Sequence, residues 1–169
     1  MTNITFHGKT VCMMNVEASF EAPCTPELLF SIVEDLGNIT PWLDLLGGAE
    51  PSPADPADTG PAWDATFAIK LGPLTKTKDV RLVRIVHSPH AEVVYERHEV
   101  PVEGRDVAQI AMWRLTMTVS PTDAGSALHV HVFYGGDALG DMAEGILTKE
   151  LNKSRPALLK EIKHRVGVS

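Results

Sequence analysis

Apolar and polar positions alternate between residues 10 and 21. Cys12, Met14, Val16, Ala18 and Phe20 share one parity, while Val11, Met13, Asn15, Glu17, Ser19 and Glu21 hold the other. A period of two predicts a strand with one buried face, ended by Ala22-Pro23. Thr25-Pro26-Glu27 carries the signals of a helix start: a capping hydroxyl, a proline at the first position and an acid near the positive helix end. Leu28, Leu29, Ile32, Val33 and Leu36 follow at helical spacing, and Gly37 is expected to stop that helix. A second short helix is expected from Thr40-Pro41, with Trp42, Leu45 and Leu46 as its apolar side and Gly47-Gly48 as its end.

Residues 51–61 hold Pro51, Pro53, Pro56 and Pro61 and read as a loop or a frayed edge strand, a surface excursion of the chain. Strand patterns then follow one another. Trp63, Ala65, Phe67, Ile69 and Leu71 alternate with polar or small residues up to a Gly72-Pro73 turn. Further strands are expected over 76–87, 92–100, 106–120 and 127–134, separated by turn chemistry at Ser88-Pro89-His90, Pro101 to Gly104 and Pro121 to Gly125. Short strands joined by turns predict an antiparallel meander. From 138 to 166 the period changes: Leu139, Met142, Ile146, Leu151, Leu158, Ile162 and Val166 make the stripe of one long helix, kinked at Pro156. On this pattern Trp113, Leu115, Leu128 and Val130 face inward, and His129 and His131 face solvent.

A chain of 169 residues with this patterning is expected to be one domain, with residues 1–9 as a polar lead-in and 10–166 as the folded core. Its net charge of −7 repels a phosphate backbone, which argues against nucleic acid as a partner. Two cysteines make no disulfide framework, no apolar run is long enough to span a membrane, and Met1 to Lys9 lacks a signal-peptide pattern. A cytoplasmic protein, monomeric or homodimeric, is the expectation.

Few residues form a chemical constellation. His129-x-His131 supplies two imidazoles where zinc wants three or four ligands, and a single Glu161-x-x-His164 is half of what a di-iron site needs. Gly135-Gly136 before a helix lacks the lysine and spacing of phosphate loops. No metal and no cofactor are expected. Trp42, Trp63, Phe67, Trp113, Met117, Tyr134 and Met142 sit on inward-reading faces, where they either fill a core or line an apolar pocket. Charges inside strand patterns are the other lead. Arg97 shares a face with Val93 and Tyr95, and Arg84 with Val80, Leu82 and Val86. Such arginines either snorkel to solvent or offer a cation to a ligand carboxylate or an oxyanion. The pattern leaves open which face of residues 76–100 points inward.

The order of elements resembles the START-like (SRPBCC) superfamily, the helix-grip fold. Local segments carry the likeness: Ala22-Pro23 to Phe30 at the first helix, Ile39 to Leu43 with its Pro41-Trp42, and Trp113 to Val119 followed by Gly125 to Leu128. Lys70-Leu71-Gly72-Pro73-Leu74 is similar to the Gly-Pro turn of the superfamily's carbon monoxide dehydrogenase-associated branch. The resemblance implies an α+β fold in which a curved antiparallel sheet wraps a long C-terminal helix, with two short helices after the first strand. The family usually keeps a second strand where this chain has its proline-rich segment.

The resemblance also implies a cavity between sheet and C-terminal helix for a small hydrophobic or amphipathic ligand such as a lipid, polyketide or aromatic. The residues expected to line it are Trp42, Trp63, Phe67, Arg84, Tyr95, Arg97, Trp113, Met117, Tyr134, Met142 and Ile146. A polyketide aromatase/cyclase or dehydratase using polar groups in that cavity is the enzymatic alternative, without assigned catalytic residues. A pocketless accessory module is the other.

Overall fold

The computed structural model describes residues 2–6, 9–104, 110–136 and 143–167; for residues 2–6 and 9–12 and for Leu71 the description is of the backbone. Eight strands form one antiparallel sheet: β1 (Thr2–Phe6), β2 (Lys9–Ala22), β3 (Leu46–Ser52), β4 (Ala62–Leu71), β5 (Leu74–Ser88), β6 (Glu92–Arg97), β7 (Met112–Thr122) and β8 (Gly125–Gly136). Their order across the sheet is β1-β2-β8-β7-β6-β5-β4-β3. Four helices complete the fold: α1 (Pro26–Val33), α2 (Leu36–Ile39), α3 (Ala143–Lys153) and α4 (Arg155–Val166).

The alternation in the sequence becomes one continuous inner surface. Cross-strand pairs link Met14 to Tyr134 and Tyr134 to Trp113, and, one rung on, Val16 to Val132, Leu115 and Tyr95. Trp63 pairs with Leu82, and Leu82 with Arg97. Met14, Val16, Trp113, Leu115, Leu128 and Val130 are all buried on this face, against α1 and the C-terminal helices. His129 and His131 point the other way, with Nδ1 of His129 2.9 Å from Ser19 Oγ and Nε2 of His131 2.9 Å from Asn15 Oδ1. For residues 76–100 the inner parity is Val80, Leu82 and Arg84 with Val93, Tyr95 and Arg97. A bulge between Arg84 and Val86 pairs Val86 with Val94, so Val86 leaves the face that Arg84 shares with Leu82.

Thr25 caps α1 as expected, its hydroxyl accepting from the Leu28 amide at 3.3 Å. The next elements depart from expectation. Asp35 accepts from the Gly37 amide at 2.7 Å and starts α2, so Gly37 opens a helix instead of ending one. Thr40 and Pro41 follow that helix, and Leu46 to Ser52 is strand β3. The local cap at Asp35 outcompetes the cap expected at Thr40. The second strand of the fold is therefore present, lying just before most of the prolines and accommodating Pro51 on the sheet edge. Residues 2–6, expected as a lead-in, pair with β2 through backbone bonds, which need no apolar alternation.

Other boundaries shift as well. The fourth expected strand stops at Arg97, and the next begins at Met112, with residues 105–109 outside the described range. The C-terminal helix is divided at Ser154, with Pro156 in the first turn of α4, where its missing amide costs nothing. Residues 138–142 of the expected helix lie outside the described range. At the β7–β8 turn Gly125 has φ +140°, and a Cβ there would collide with the backbone of Ala22 and Cys24.

The proline-rich segment is pinned to the convex face by an ion pair. Arg81 points outward from β5, yet its side chain is only 6% exposed. Nη2 donates to Asp58 Oδ2 at 2.6 Å and to Pro53 O at 2.9 Å, Nη1 to Asp58 Oδ1 at 2.9 Å, and Nε to Ser52 Oγ at 3.2 Å. The Arg81 hydrogen bonds hold the Asp58 carboxyl down at about 2. A depressed folded-state value gives stability that is present above the unfolded value and lost as the pH falls through the folded one. Asp58→Asn is expected to lower unfolding free energy by about 2 kcal/mol at neutral pH. In urea titrations the gap between the two proteins should close as the pH falls from about 4 to about 2. A gap independent of pH would refute this account.

Candidate functional site

The concave face carries a row of aromatic rings set by the strand register. Phe67 of β4 stacks on Trp113 of β7 with centroids 4.6 Å apart and planes at 15°. Trp113 meets Tyr134 of β8 at 4.8 Å and 57°. Trp63 of β4 packs edge-on against Tyr95 of β6 at 5.6 Å and 82°. These are the offset and tilted arrangements that the ring quadrupole favours. All five rings are at most 5% exposed. α3 crosses β2 and β4 on this side, and Ile146 on that helix packs half-buried against the same core.

The other expected ligand residues divide into groups. Met117 is fully buried between Val93 and Val130 in the strand register. Trp42 is fully buried in the turn after α2, and its indole Nε1 has no hydrogen-bond partner among the described residues. Met142 lies outside the described residues. The inward polar residues are engaged by the fold itself. Tyr95 donates its hydroxyl to Val33 O at 2.7 Å, and Arg84 Nη1 donates to Glu34 O at 2.7 Å. Val33 is the last residue of α1 and Glu34 its C-cap, so both carbonyls lie at a helix end that would otherwise be unsatisfied and carries partial negative charge. Burial pushes the Tyr95 phenol far above its ordinary range, so it stays protonated and a donor. Arg97 donates through Nε to Glu99 at 2.8 Å and through Nη1 to Ala111 O at 3.2 Å.

Two clefts flank the Arg81–Asp58 pair. One of about 690 Å³ is bordered by Ser52, Asp64, Thr66, Asp79, Glu99 and Val102. A smaller one of about 310 Å³ lies between Asp58, His98 and Pro101 and reaches Arg97. Neither touches the aromatic row. Next to them Glu96 accepts from Arg114 and lies 2.9 Å from His98 Nε2. Partial burial raises the Glu96 carboxyl, but the bonds from His98 and Arg114 prevail and hold it below its usual value. Sequence patterning does not bring out this cluster, because Arg81 and Glu96 occupy ordinary outward strand positions. The one local hint is the Asp55–Asp58 turn, closed by the Asp58 amide on Asp55 O at 3.0 Å. Cys24 and Ser126, 3.8 Å apart, are buried together where β8 begins, and burial raises the thiol. Among the described residues no group of three or more His, Cys, Asp or Glu could hold a metal ion.

No protein-family model matches the chain, and no curated protein matches it. Solved structures do. A protein from Chromobacterium violaceum matches at TM-score 0.61 and 14% identity, over 88% of this chain and 96% of that one. Ara h 8.0201 matches at TM-score 0.54 and 17% identity, over 92% and 97%. The di-domain ARO/CYC StfQ from the steffimycin biosynthetic pathway matches at TM-score 0.58 and 15% identity, over 92% of this chain and 52% of its own. At these identities the likeness is one of fold.

The chemistry available on the concave face is therefore apolar contact, with Tyr95 and Arg84 holding the end of α1 and Arg97 bound to Glu99 and Ala111 O. Tyr95→Phe keeps the ring and strands the Val33 carbonyl. It should cost about 1–2 kcal/mol, read as a lower urea midpoint at unchanged slope. An unchanged midpoint would show that the hydroxyl does not hold the helix end.

Proposed function

We propose that this protein, a START-like helix-grip fold, binds a small hydrophobic or amphipathic molecule between the concave face and the C-terminal helices. The observation that carries the reading is the aromatic row of Phe67, Trp113 and Tyr134 on the face that α3 crosses. A planar or acyl ligand enters by exchanging ring–ring contacts for ring–ligand contacts. Burying ~300 Å² of ligand surface yields on the order of 7 kcal/mol before ordering costs, enough for micromolar affinity. The unpartnered Trp42 indole N–H is a donor available to a ligand carbonyl or hydroxyl should a ligand reach it.

Carriage is favoured over catalysis by the state of the inward polar groups. Arg84, Tyr95 and Arg97 each bond to a fold-internal acceptor, leaving them poorly placed as acid, base or oxyanion donor. The fold likeness to an ARO/CYC protein keeps cyclisation as the enzymatic alternative. An accessory role without a ligand is favoured by the closed, pairwise packing of the same rings.

Titration with fatty acids, sterols and aromatic polyketides should change tryptophan emission saturably at micromolar concentration for at least one class. Trp113→Phe should remove most of that response, and Phe67→Ala should weaken an aromatic ligand by up to about tenfold. Absence of a saturable response from every class would leave the accessory role.

A further inference from the structure

We propose that the end of the sheet formed by the β4–β5 turn, the segment after β6 and the start of β7 docks on an anionic lipid bilayer. This goes beyond ligand carriage and does not depend on it. Antiparallel pairing puts these three places at one end of the sheet, with the hairpin reaching furthest: β4 and β5 meet at Gly72-Pro73, β6 leaves the sheet after Arg97 opposite Leu82, and β7 enters it at Met112. Large apolar side chains are exposed here. Leu74 is 68% exposed, Val102 56%, Met112 43% and Val100 41%. Among the described residues only Val166 of the other large hydrophobics is comparably exposed.

Of the hairpin's two strands only the start of β5 is clear of the core, since Phe67 and Ile69 of β4, opposite Lys78 and Lys76, are buried in it. Leu74 to Asp79, the first six residues of β5, are exposed on both faces of the strand. A strand that buries neither face contributes nothing to core packing, so a leucine at its tip has no folding role. Lysines surround that leucine. Residues 69–78 hold Lys70, Lys76 and Lys78 and no carboxylate, in a chain whose net charge is −7. Lys76 and Lys78 have no hydrogen-bond or ion-pair partner among the described residues. Lys70 makes a loose contact of 3.7 Å with exposed Asp44.

Among the described carboxylates at this end two are engaged, while Asp44 and Asp64 are exposed. Asp79 accepts from Thr66 Oγ1 at 2.7 Å, and Glu99 accepts from Arg97. Glu103, exposed beside Val102, opposes binding to an anionic surface.

A bilayer fits this surface better than a macromolecule does. The apolar side chains are scattered: Leu74 stands at the hairpin tip beside the lysines, Met112 at a strand end, and Val100 and Val102 on the rim of the larger cleft. A fluid interface accepts such scattered tips without shape complementarity, takes the leucine and valines into its acyl boundary, and meets the ammonium groups with phosphate and carboxylate heads. Nucleic acid would satisfy the lysines and leave the apolar tips in water.

The test is sedimentation of the full chain with phosphatidylcholine vesicles, with and without phosphatidylserine. Binding should require phosphatidylserine and weaken as salt is raised. Each lysine near the surface contributes about fivefold to partitioning, so K76A/K78A should bind about 25-fold more weakly. Leu74→Ser should weaken binding severalfold at unchanged charge. All three positions are exposed, and unchanged melting of the variants verifies the fold. No sedimentation with phosphatidylserine vesicles overturns the proposal. So does equal binding by wild type and K76A/K78A, or binding to duplex DNA in place of vesicles.

Discussion

The carbonyl end of α1 must be satisfied inside the sheet's concave face, and much of the interior is arranged around that requirement. A helix of eight residues lies against β7 and β8, with Leu29, Phe30, Ile32 and Val33 buried. Its last carbonyls point where water is scarce, and an unmet carbonyl there costs about 1–3 kcal/mol. Tyr95 and Arg84 meet them from two adjacent strands, and the bulge that follows Arg84 re-aims β5 directly after this contact. The aromatic stack then continues from Tyr95 through Trp63. A polar necessity thus sits at the centre of an apolar face, and the residues that meet it are two of those the sequence offers as ligand contacts.

A second constraint acts on the opposite face. Arg81 points outward from the same strand, but the proline-rich segment covers it and returns a carboxylate, a carbonyl and a hydroxyl to its guanidinium, with the His98 carbonyl adding a fourth acceptor from the other side. Breaking such a pair from one side leaves an uncompensated charge, which makes the two residues interdependent. The segment with the most prolines is accordingly tied to the sheet by backbone pairing at its ends and by the Arg81 side chain at Pro53 and Asp58.

The strands and the inward parity of Met14, Trp113 and Leu128 were legible because period-two burial is written directly in the residue order. The cap at Thr25 was legible for a similar reason: its partner lies three residues away. The exchange of Thr40 for Asp35 as the second cap was not, since both residues offer a side-chain acceptor to an amide close by and residue type alone does not choose between them. Strand β1 was not legible either, because an edge strand held by backbone bonds leaves no mark in hydrophobicity. Of the candidate site, the aromatics were legible individually. Their stacking was not, because Phe67 and Trp113 meet across strands that are not neighbours. The engagement of Arg84 and Arg97 by carbonyls was equally hidden, since an acceptor on the main chain has no sequence signature.

The placement of β2 has a consequence for synthesis on the ribosome. Lys9–Ala22 lies in the sheet between β1 and β8, and its register joins Ala22 to Ser126 and Cys12 to Gly136. The second strand made must therefore wait for the last one. At about 5–20 residues per second that wait is roughly 5–20 s. Throughout it the nascent chain carries a fourteen-residue strand with one open ladder edge and an uncovered apolar face, the template for pairing with a neighbouring chain. Only when β8 emerges does the sheet close on that side. Gly125 then seats its turn against Ala22 and Cys24, where no side chain would fit. Folding yield in the cell should thus be governed by the survival of the N-terminal strand until the C-terminal third has been translated.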